Sequence, residues 1–174
     1  MTFFKRGTMK KFLSFIIATI LLTGCVSLQK REEQKELMRK AVSEALKKRQ
    51  MYIDVRTMHP MRYASKTITS NYSLEVRGDT VRSYLPYIGV AHQAPMSSNP
   101  QVLNFVERIL SYKESHPKAN LTRIEMSVKT SEDNYEYIVE LYDTGEAYID
   151  VRPQNSDLIS FDGELDPEQS FKDQ

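Results

Sequence analysis

The fold class of this chain is decided by the stretch YSLEVRGDTV, residues 72–81. Its apolar residues occur at every second position, which is the period of a β-strand with one buried face. Gly78 and Asp79 interrupt the alternation, and glycine at the first central position predicts a type II′ hairpin turn. The return strand runs from Thr80 to Leu85 and ends at Pro86, because proline has no N–H to donate to a sheet.

Similar alternating runs precede and follow this hairpin. They occupy residues 51–55, 123–129, 135–141, 147–151 and, as a short last strand, 158–161. Strands in direct succession with short turns predict antiparallel pairing, with one face on the core and the other in water. Residues 86–120 are less regular: residues 106–115 fit either a strand or a helical turn, and we favour a strand.

A helix is predicted before the first strand, over residues 33–49. Its apolar side chains recur at helical spacing, and they are Leu37, Met38, Ala41, Val42, Ala45 and Leu46. The stripe is narrow and a strand follows at once, which favours packing on the sheet over binding a partner or a membrane. The predicted fold class is therefore α+β, with one N-terminal helix packed on a curved antiparallel β-sheet of about six to eight strands.

The first 24 residues have the features of a signal peptide. Their basic residues are Lys5, Arg6, Lys10 and Lys11. Residues 12–22 form an uncharged, mostly apolar run, which is shorter than the roughly 20 residues that a membrane-spanning helix needs. A start at Met1 and a start at Met9 both fit this pattern.

Residues 22–25, Leu-Thr-Gly-Cys, resemble the lipobox of bacterial lipoproteins. The resemblance implies cleavage between Gly24 and Cys25 and transfer of a diacylglyceryl group to the sulfur of Cys25. Cys25 is the only cysteine, so no disulfide forms within the chain. Two or three acyl chains give stable anchoring, whereas a single chain binds a membrane only marginally. The expected organisation is a signal peptide (1–24), a lipidated tether (25–36), a single domain (37–165) and a loose tail (166–174).

Cleavage also changes the charge of the chain. Residues 1–24 contain four basic residues and no acids, so the mature chain has 24 − 4 = 20 basic residues against 23 acidic ones, a net charge of −3. A mildly acidic domain gives no electrostatic basis for binding nucleic acid, and we expect no such partner. Val26, and the lack of acids directly after Cys25, favour an outer-membrane lipoprotein that faces the periplasm.

The most distinctive segment is SYLPYIGVAHQAP, residues 83–95. Together with the hairpin before it, and with TGEAYI (144–149) and ISFDGE (159–164), it resembles a family of Bacteroidetes lipoproteins known only as a domain of unknown function. The resemblance covers residues 50–165. It implies a strand, a Gly-Asp hairpin and a further run of strands, and it implies no established activity.

No pattern typical of catalysis or of a cofactor site is present. His59, His92 and His116 are far apart and lack partners at the spacing of metal ligands. The chain has neither a Gly-rich phosphate loop nor a Gly-x-Ser-x-Gly elbow. We therefore expect no enzyme activity, no cofactor and no metal. The alternative is a cell-wall or glycan hydrolase with carboxylates on the open face of the sheet, which a buried pair of acids about 5–10 Å apart would indicate.

One loop is the candidate site for binding an envelope protein or ligand. Its candidate residues are Tyr84, Leu85, Pro86, Tyr87, Gly89 and His92. Aromatic side chains on a loop fixed by proline suit recognition of a partner. The alternative is structural, with Leu85 and Tyr87 filling the edge of the sheet while Pro86 and Gly89 set the turn. An exposed patch that contains both tyrosines would favour binding.

Replacing Cys25 with alanine tests the predicted anchor, because it removes the only thiol that can accept lipid. We expect the Cys25→Ala protein to lose palmitate labelling and to leave the membrane fraction. Ser27→Ala, two residues further on, should retain both properties. Continued labelling of the Cys25→Ala protein would contradict the prediction.

Overall fold

The structure is a computed structural model, and it describes residues 30–90 and 102–172. Helix α1 covers residues 30–48 of the described part. The elements that follow are β1 (Gln50–Pro60), β2 (Lys66–Thr67), β3 (Ser73–Arg77), β4 (Thr80–Pro86), β5 (Val102–Lys118), β6 (Leu121–Lys129), β7 (Asn134–Tyr142), β8 (Glu146–Pro153), β9 (Ile159–Leu165) and α2 (Pro167–Ser170).

The chain divides into two compact units, which meet between Leu37 and Met38. In the first unit, residues 30–37 are helical and exposed. This differs from the expected tether over residues 25–36, of which residues 30–36 are helical. The second unit contains the remainder of α1 and all the strands of the described residues.

One antiparallel sheet closes on itself to form a barrel. The strand order is β2-β1-β3-β4-β5-β6-β7-β8-β9, and β1 also pairs with β9. The ring is possible because β1 is long: Gln50 to Asp54 pair with β3, and Ile53 to Pro60 pair with β9. The predicted α+β class, a helix followed by an antiparallel sheet, is confirmed.

The hairpin of β3 and β4 has the predicted geometry. Gly78 has a φ of 61°, and Arg49 is the only non-glycine residue of the described part with a positive φ. Asp79 therefore keeps a negative φ, as the second central position of a type II′ turn requires. Arg77 pairs with Thr80, which confirms that Gly78 and Asp79 are the two residues of the turn.

The alternating apolar residues point into the barrel and fill it. The largest fully buried side chains are Tyr137, Phe161, Met51, Ile53, Leu74, Leu85, Ile124, Met126, Leu141, Ile149, Ile159 and Leu165. A hydroxyl in this interior needs a partner, and Tyr137 donates a hydrogen bond of 2.9 Å to Oγ of the equally buried Ser83. Apolar side chains and this hydrogen-bonded pair therefore fill the interior of the barrel.

The ambiguous region after Val102 is a strand, as we favoured. The 17-residue β5 shifts register between Ile109 and Ser111, where the ladder with β6 is irregular. Leu103 and Ile109 are buried, whereas Val106 and Leu110 are exposed. Leu103, Val106, Ile109 and Leu110 are also spaced as on one face of a helix, but in the structure they face opposite sides of one bent strand.

The antiparallel ladder gives the barrel two different ends. The turns at residues 78–79, 119–120 and 143–145 lie at one of them, which we call the helix end. Residues 38–48 of α1 pack there, and Arg39 forms a salt bridge of 3.1 Å with Asp143. The connections at residues 61–72, 130–133 and 154–158, and residues 87–90 after β4, lie at the other, which we call the loop end.

Strand β3 is buried on both faces, where the alternation predicted one face in water. The carboxylate of Glu75 points outward and is only 6% exposed. Arg77 forms an ion pair with Glu75 and also donates a hydrogen bond of 3.0 Å to the carbonyl of Gln169 in α2. The arginine thereby covers the acid and holds α2 on the outside of the barrel.

The structure also differs from the expected loose tail over residues 166–171. Asp166 caps α2 by accepting a hydrogen bond of 3.0 Å from the Gln169 amide, and Pro167 occupies the first turn. Ser170 is buried and accepts a hydrogen bond of 2.9 Å from the Tyr52 amide. The segment Asp-Pro-Glu-Gln is a local start signal for a helix, but its docking depends on β1.

Gly163 lies where β1 and β9 close the barrel, and a side chain there would collide with the backbone. A Cβ added to Gly163 would lie 2.5 Å from the carbonyl oxygen of Asp54 and 2.9 Å from a methyl group of Ile53. We expect Gly163→Ala to lower the free energy of unfolding by about 1–3 kcal/mol in urea titrations. Ser160→Ala on the same strand should change it by less than about 0.5 kcal/mol. Equal stability of the two variants would contradict this account.

Candidate functional site

The structure divides the predicted binding loop between core and surface. Leu85 is fully buried, Pro86 is buried and Tyr87 is 7% exposed, whereas Tyr84 is 39% exposed. Tyr84 and Tyr87 therefore do not share an exposed patch, and the first part of the loop has the structural role that we gave as the alternative. His92 lies outside the described residues, as do Gly24 and Cys25. Gly89 is half-buried against the ring of Tyr87.

A buried aspartate holds the loop end together. The backbone carbonyl of Asp157 accepts a hydrogen bond of 2.8 Å from the Tyr87 hydroxyl. Its carboxylate accepts a hydrogen bond of 3.1 Å from the Val90 amide and forms a salt bridge of 2.9 Å with Arg62. Asp157 thus joins the connections that follow β1, β4 and β8. The sequence offered no signal for this role, because Asp157 is an isolated acid between two strands.

Tyrosines with raised pKa values line the interior beneath this cluster. Burial raises the pKa of Tyr87 above its usual value. Burial, followed by the negative charge of Asp133, raises the pKa of Tyr135 to about 12. The ring of Tyr135 packs 5.1 Å from that of Phe105 and 6.4 Å from that of Tyr137. These hydroxyls are protonated at neutral pH, and that of Tyr87 donates its proton to the hydrogen bond with the Asp157 carbonyl.

Several large apolar side chains are exposed around Asp157. Met61 and Tyr63, which flank Arg62 in sequence, are 68% and 56% exposed, and Val90 is exposed as well. We call these three residues the loop-end patch. Tyr84 lies on the outer wall of the barrel, stacked on Tyr72 at 4.8 Å. The loop end therefore presents apolar groups on a network of buried hydrogen bonds.

The buried acids of the described part are Glu75 and Asp157, and arginine neutralises each of them. Glu75 is paired with Arg77 and lies 3.7 Å from Arg82, and Asp157 is paired with Arg62. Each carboxylate is held by structural partners, so neither has the environment of a general acid. Residues 30–90 and 102–172 also contain no group of three or more His, Cys, Asp or Glu side chains able to hold a metal ion.

A groove of about 570 Å³ lies at the helix end, between α1 and the hairpin of β5 and β6. Val42, Leu46 and Leu121 form part of its base, and Lys47 and Arg49 are on its rim. The guanidinium of Arg49 also lies 4.3 Å from the centre of the Tyr112 ring. The groove therefore combines apolar side chains with charges of both signs, because Glu114 and Asp143 line it as well.

The sequence profile of a domain of unknown function, DUF4251, matches residues 32–165. The chain belongs to the DUF4251 family. A crystal structure of a DUF4251 family protein from Bacteroides eggerthii DSM 20697 is similar, with a TM-score of 0.56 and 16% identity over 74% of this chain and 87% of that chain. Likeness at this identity shows the fold alone. No curated protein matches the chain.

Membership in DUF4251 confirms the resemblance to a family of unknown function. The family description assigns no activity. In the part of the DUF4251 chain that the structure covers, no helix has the length and apolar character needed to cross a membrane. The function of this protein therefore depends on groups that its own surface presents.

Replacing Asp157 with alanine tests its role as the clamp of the loop end. We expect a loss of about 1–3 kcal/mol in stability, because the change removes the hydrogen bonds that the carboxylate accepts from Arg62 and from the Val90 amide. Amide hydrogen exchange at Val90 should accelerate more than exchange in β6 and β7. Asp150→Ala, whose carboxylate is exposed and 3.9 Å from Arg152, should leave both measurements unchanged. Unaltered exchange at Val90 in the Asp157→Ala protein would show that the loop is held by other contacts.

Proposed function

We propose that this protein is a lipid-anchored envelope protein that carries a non-catalytic binding domain. Lipid on Cys25 attaches it to the outer membrane on the periplasmic side. The barrel binds an envelope protein or ligand through the loop-end patch of Met61, Tyr63 and Val90. The observation that carries this proposal is the exposure of these apolar side chains directly beside the buried Asp157 cluster.

The loop-end patch differs from the scattered apolar residues that every protein surface has. Arg62, between Met61 and Tyr63, and the amide of Val90 both bind the Asp157 carboxylate. The Arg62 side chain and the Val90 backbone, next to the three exposed side chains, are therefore held in place before a partner arrives. A fixed backbone lowers the entropy lost on binding, and tyrosine is a frequent anchor at interfaces.

The chemistry of the site supports binding more than catalysis. The buried carboxylates, Glu75 and Asp157, are paired with arginine, and the raised pKa values of Tyr87 and Tyr135 keep their hydroxyls neutral. The sequence pattern at residues 22–25 supports the anchor. Anchoring confines the domain to a thin layer at the membrane, so a modest affinity suffices for a partner in the same layer.

In-cell photo-cross-linking tests this proposal. A photoreactive phenylalanine analogue would replace Tyr63 in the loop-end patch or, as a control, Tyr148, which is 46% exposed on the outer face of β8. We expect a discrete cross-linked product from position 63 and none from position 148. Adding Met61→Glu should remove that product while the thermal midpoint stays within a few degrees.

The proposed anchor is tested by repeating the cross-linking with the Cys25→Ala protein. If the partner is in the envelope, releasing the protein from the membrane should weaken the product from position 63. Identical products from positions 63 and 148, or no product from either, would contradict the loop-end patch as a binding surface.

A further inference from the structure

Strand β5 changes partners along its length. Its first part pairs with β4 as far as Arg108, which is opposite Thr80, and Ile109 begins the ladder with β6. The amide of Ile109 donates a hydrogen bond of 2.7 Å to the carbonyl of Asp79, which ends contact with the β4 side. Beyond this point, no strand of the described residues pairs with the side of β5 that faces away from β6.

The result is an unpaired strand edge on the second half of β5, beyond the residues that pair with β4. Seven of the nine residues from 110 to 118 are exposed, namely 110, 111, 113, 114 and 116–118. An edge of this kind presents N–H and C=O groups in a regular series. Another extended backbone can pair with the whole series, which is how sheet edges bind peptides.

The far end of the edge carries features that stop indiscriminate pairing. Pro117 has no N–H, and the ladder with β6 shifts register between Ser115 and Lys118. Lys113 lies in the middle of the remaining edge, where charged side chains disfavour pairing with a second copy of the same strand. The usable edge is therefore residues 110–116. Lys113 and Glu114 offset each other in charge within it, so a preference for a partner's charge comes from the cations beside the edge.

Basic side chains outnumber acidic ones around the edge. Arg108, Lys113 and His116 have nearby acids: Asp79 at 3.1 Å, Glu125 at 3.9 Å and Glu114 at 3.6 Å. Three further lysine and arginine side chains lie nearby, Lys47 and Arg49 in the lining of the groove and Lys118 at the end of the strand. In the described part of the chain, no salt bridge involves any of these last three.

We propose that residues 110–116 of β5 bind an acidic extended segment of a partner protein by β-strand addition. The backbone of β5 supplies the hydrogen bonds that any strand can use. The cations beside the edge, Lys47 and Arg49, select acidic side chains on that segment. Tyr112, which is opposite Met126 in the ladder, provides an aromatic surface on the barrel side of the added strand.

This surface is separate from the loop-end patch. The edge begins beyond the β3–β4 turn at Asp79, at the helix end, whereas the loop-end patch surrounds Asp157 at the opposite end of the strands. Failure of one surface in an experiment therefore leaves the other untouched. A protein with both surfaces can join two envelope components.

Fluorescence polarisation with defined peptides tests the proposal on the lipidated protein in detergent micelles. The probe is a labelled peptide of alternating glutamate and valine, and its counterpart replaces each glutamate with lysine. We expect the acidic peptide to bind at least tenfold more tightly, with an affinity that falls as salt rises. N-methylation of every second amide on one edge of the acidic peptide should abolish binding, because the backbone bonds are lost.

Charge reversal on the edge gives the second arm. Lys113→Glu should weaken binding of the acidic peptide at least tenfold, which corresponds to about 1.4 kcal/mol. Lys129→Glu, exposed at the other end of the neighbouring strand, should have no effect. The N-methylation comparison uses the unaltered protein, so it holds even if Lys113→Glu does not fold.

Four outcomes would overturn the proposal. The first is equal binding of the acidic and basic peptides, and the second is equal binding of the methylated and unmethylated forms. The third is the absence of binding at peptide concentrations up to about 1 mM, the level expected of a weak site. Self-association that Lys113→Glu alters would also overturn it, because the edge would then serve a second copy of the chain.

Discussion

The pairing of β1 with β9 is the constraint on which the rest of the structure depends. It turns an open meander into a closed ring, in which β1 pairs with both β3 and β9. Closure removes the edges of the first and last strands and encloses an apolar interior. Gly163 makes the approach possible, because any side chain there would meet the carbonyl of Asp54. Without the pairing of β1 with β9, the loops at the two ends of the barrel would not be held in fixed positions.

Closure also gives the two ends different roles. At the helix end, residues 38–48 of α1 cover the barrel, and Arg77 ties α2 to the buried Glu75. At the loop end, where α1 does not pack, the Asp157 carboxylate holds the loops together by binding Arg62 and the amide of Val90. Buried ion pairs contribute little net stability, but losing one partner leaves a charge without compensation. Both acids therefore specify the arrangement of the ends more than they strengthen the fold.

The two proposed binding surfaces use different physical means. The loop-end patch exposes apolar side chains on backbone fixed by Asp157, so burial of apolar area would drive binding there. The β5 edge offers backbone hydrogen bonds among cations, so strand pairing and charge would drive binding at that surface. In both cases the rigid barrel holds the groups in place before the partner arrives. Neither surface requires a reaction, in keeping with buried acids that arginine neutralises.

The sequence by itself determined the local structure of this protein. The alternation in residues 72–81 and Gly78 fixed a hairpin, and the stripe around Val42 fixed a helix, because both periods are properties of neighbouring residues. The buried role of Leu85 and Tyr87 followed from the same pattern as one of two alternatives. Only the tertiary structure decided closure of the barrel, the clamp at Asp157 and the open edge of β5. These features depend on contacts between residues that are distant in sequence. The local pattern of residues does not indicate which strand or loop each segment will contact.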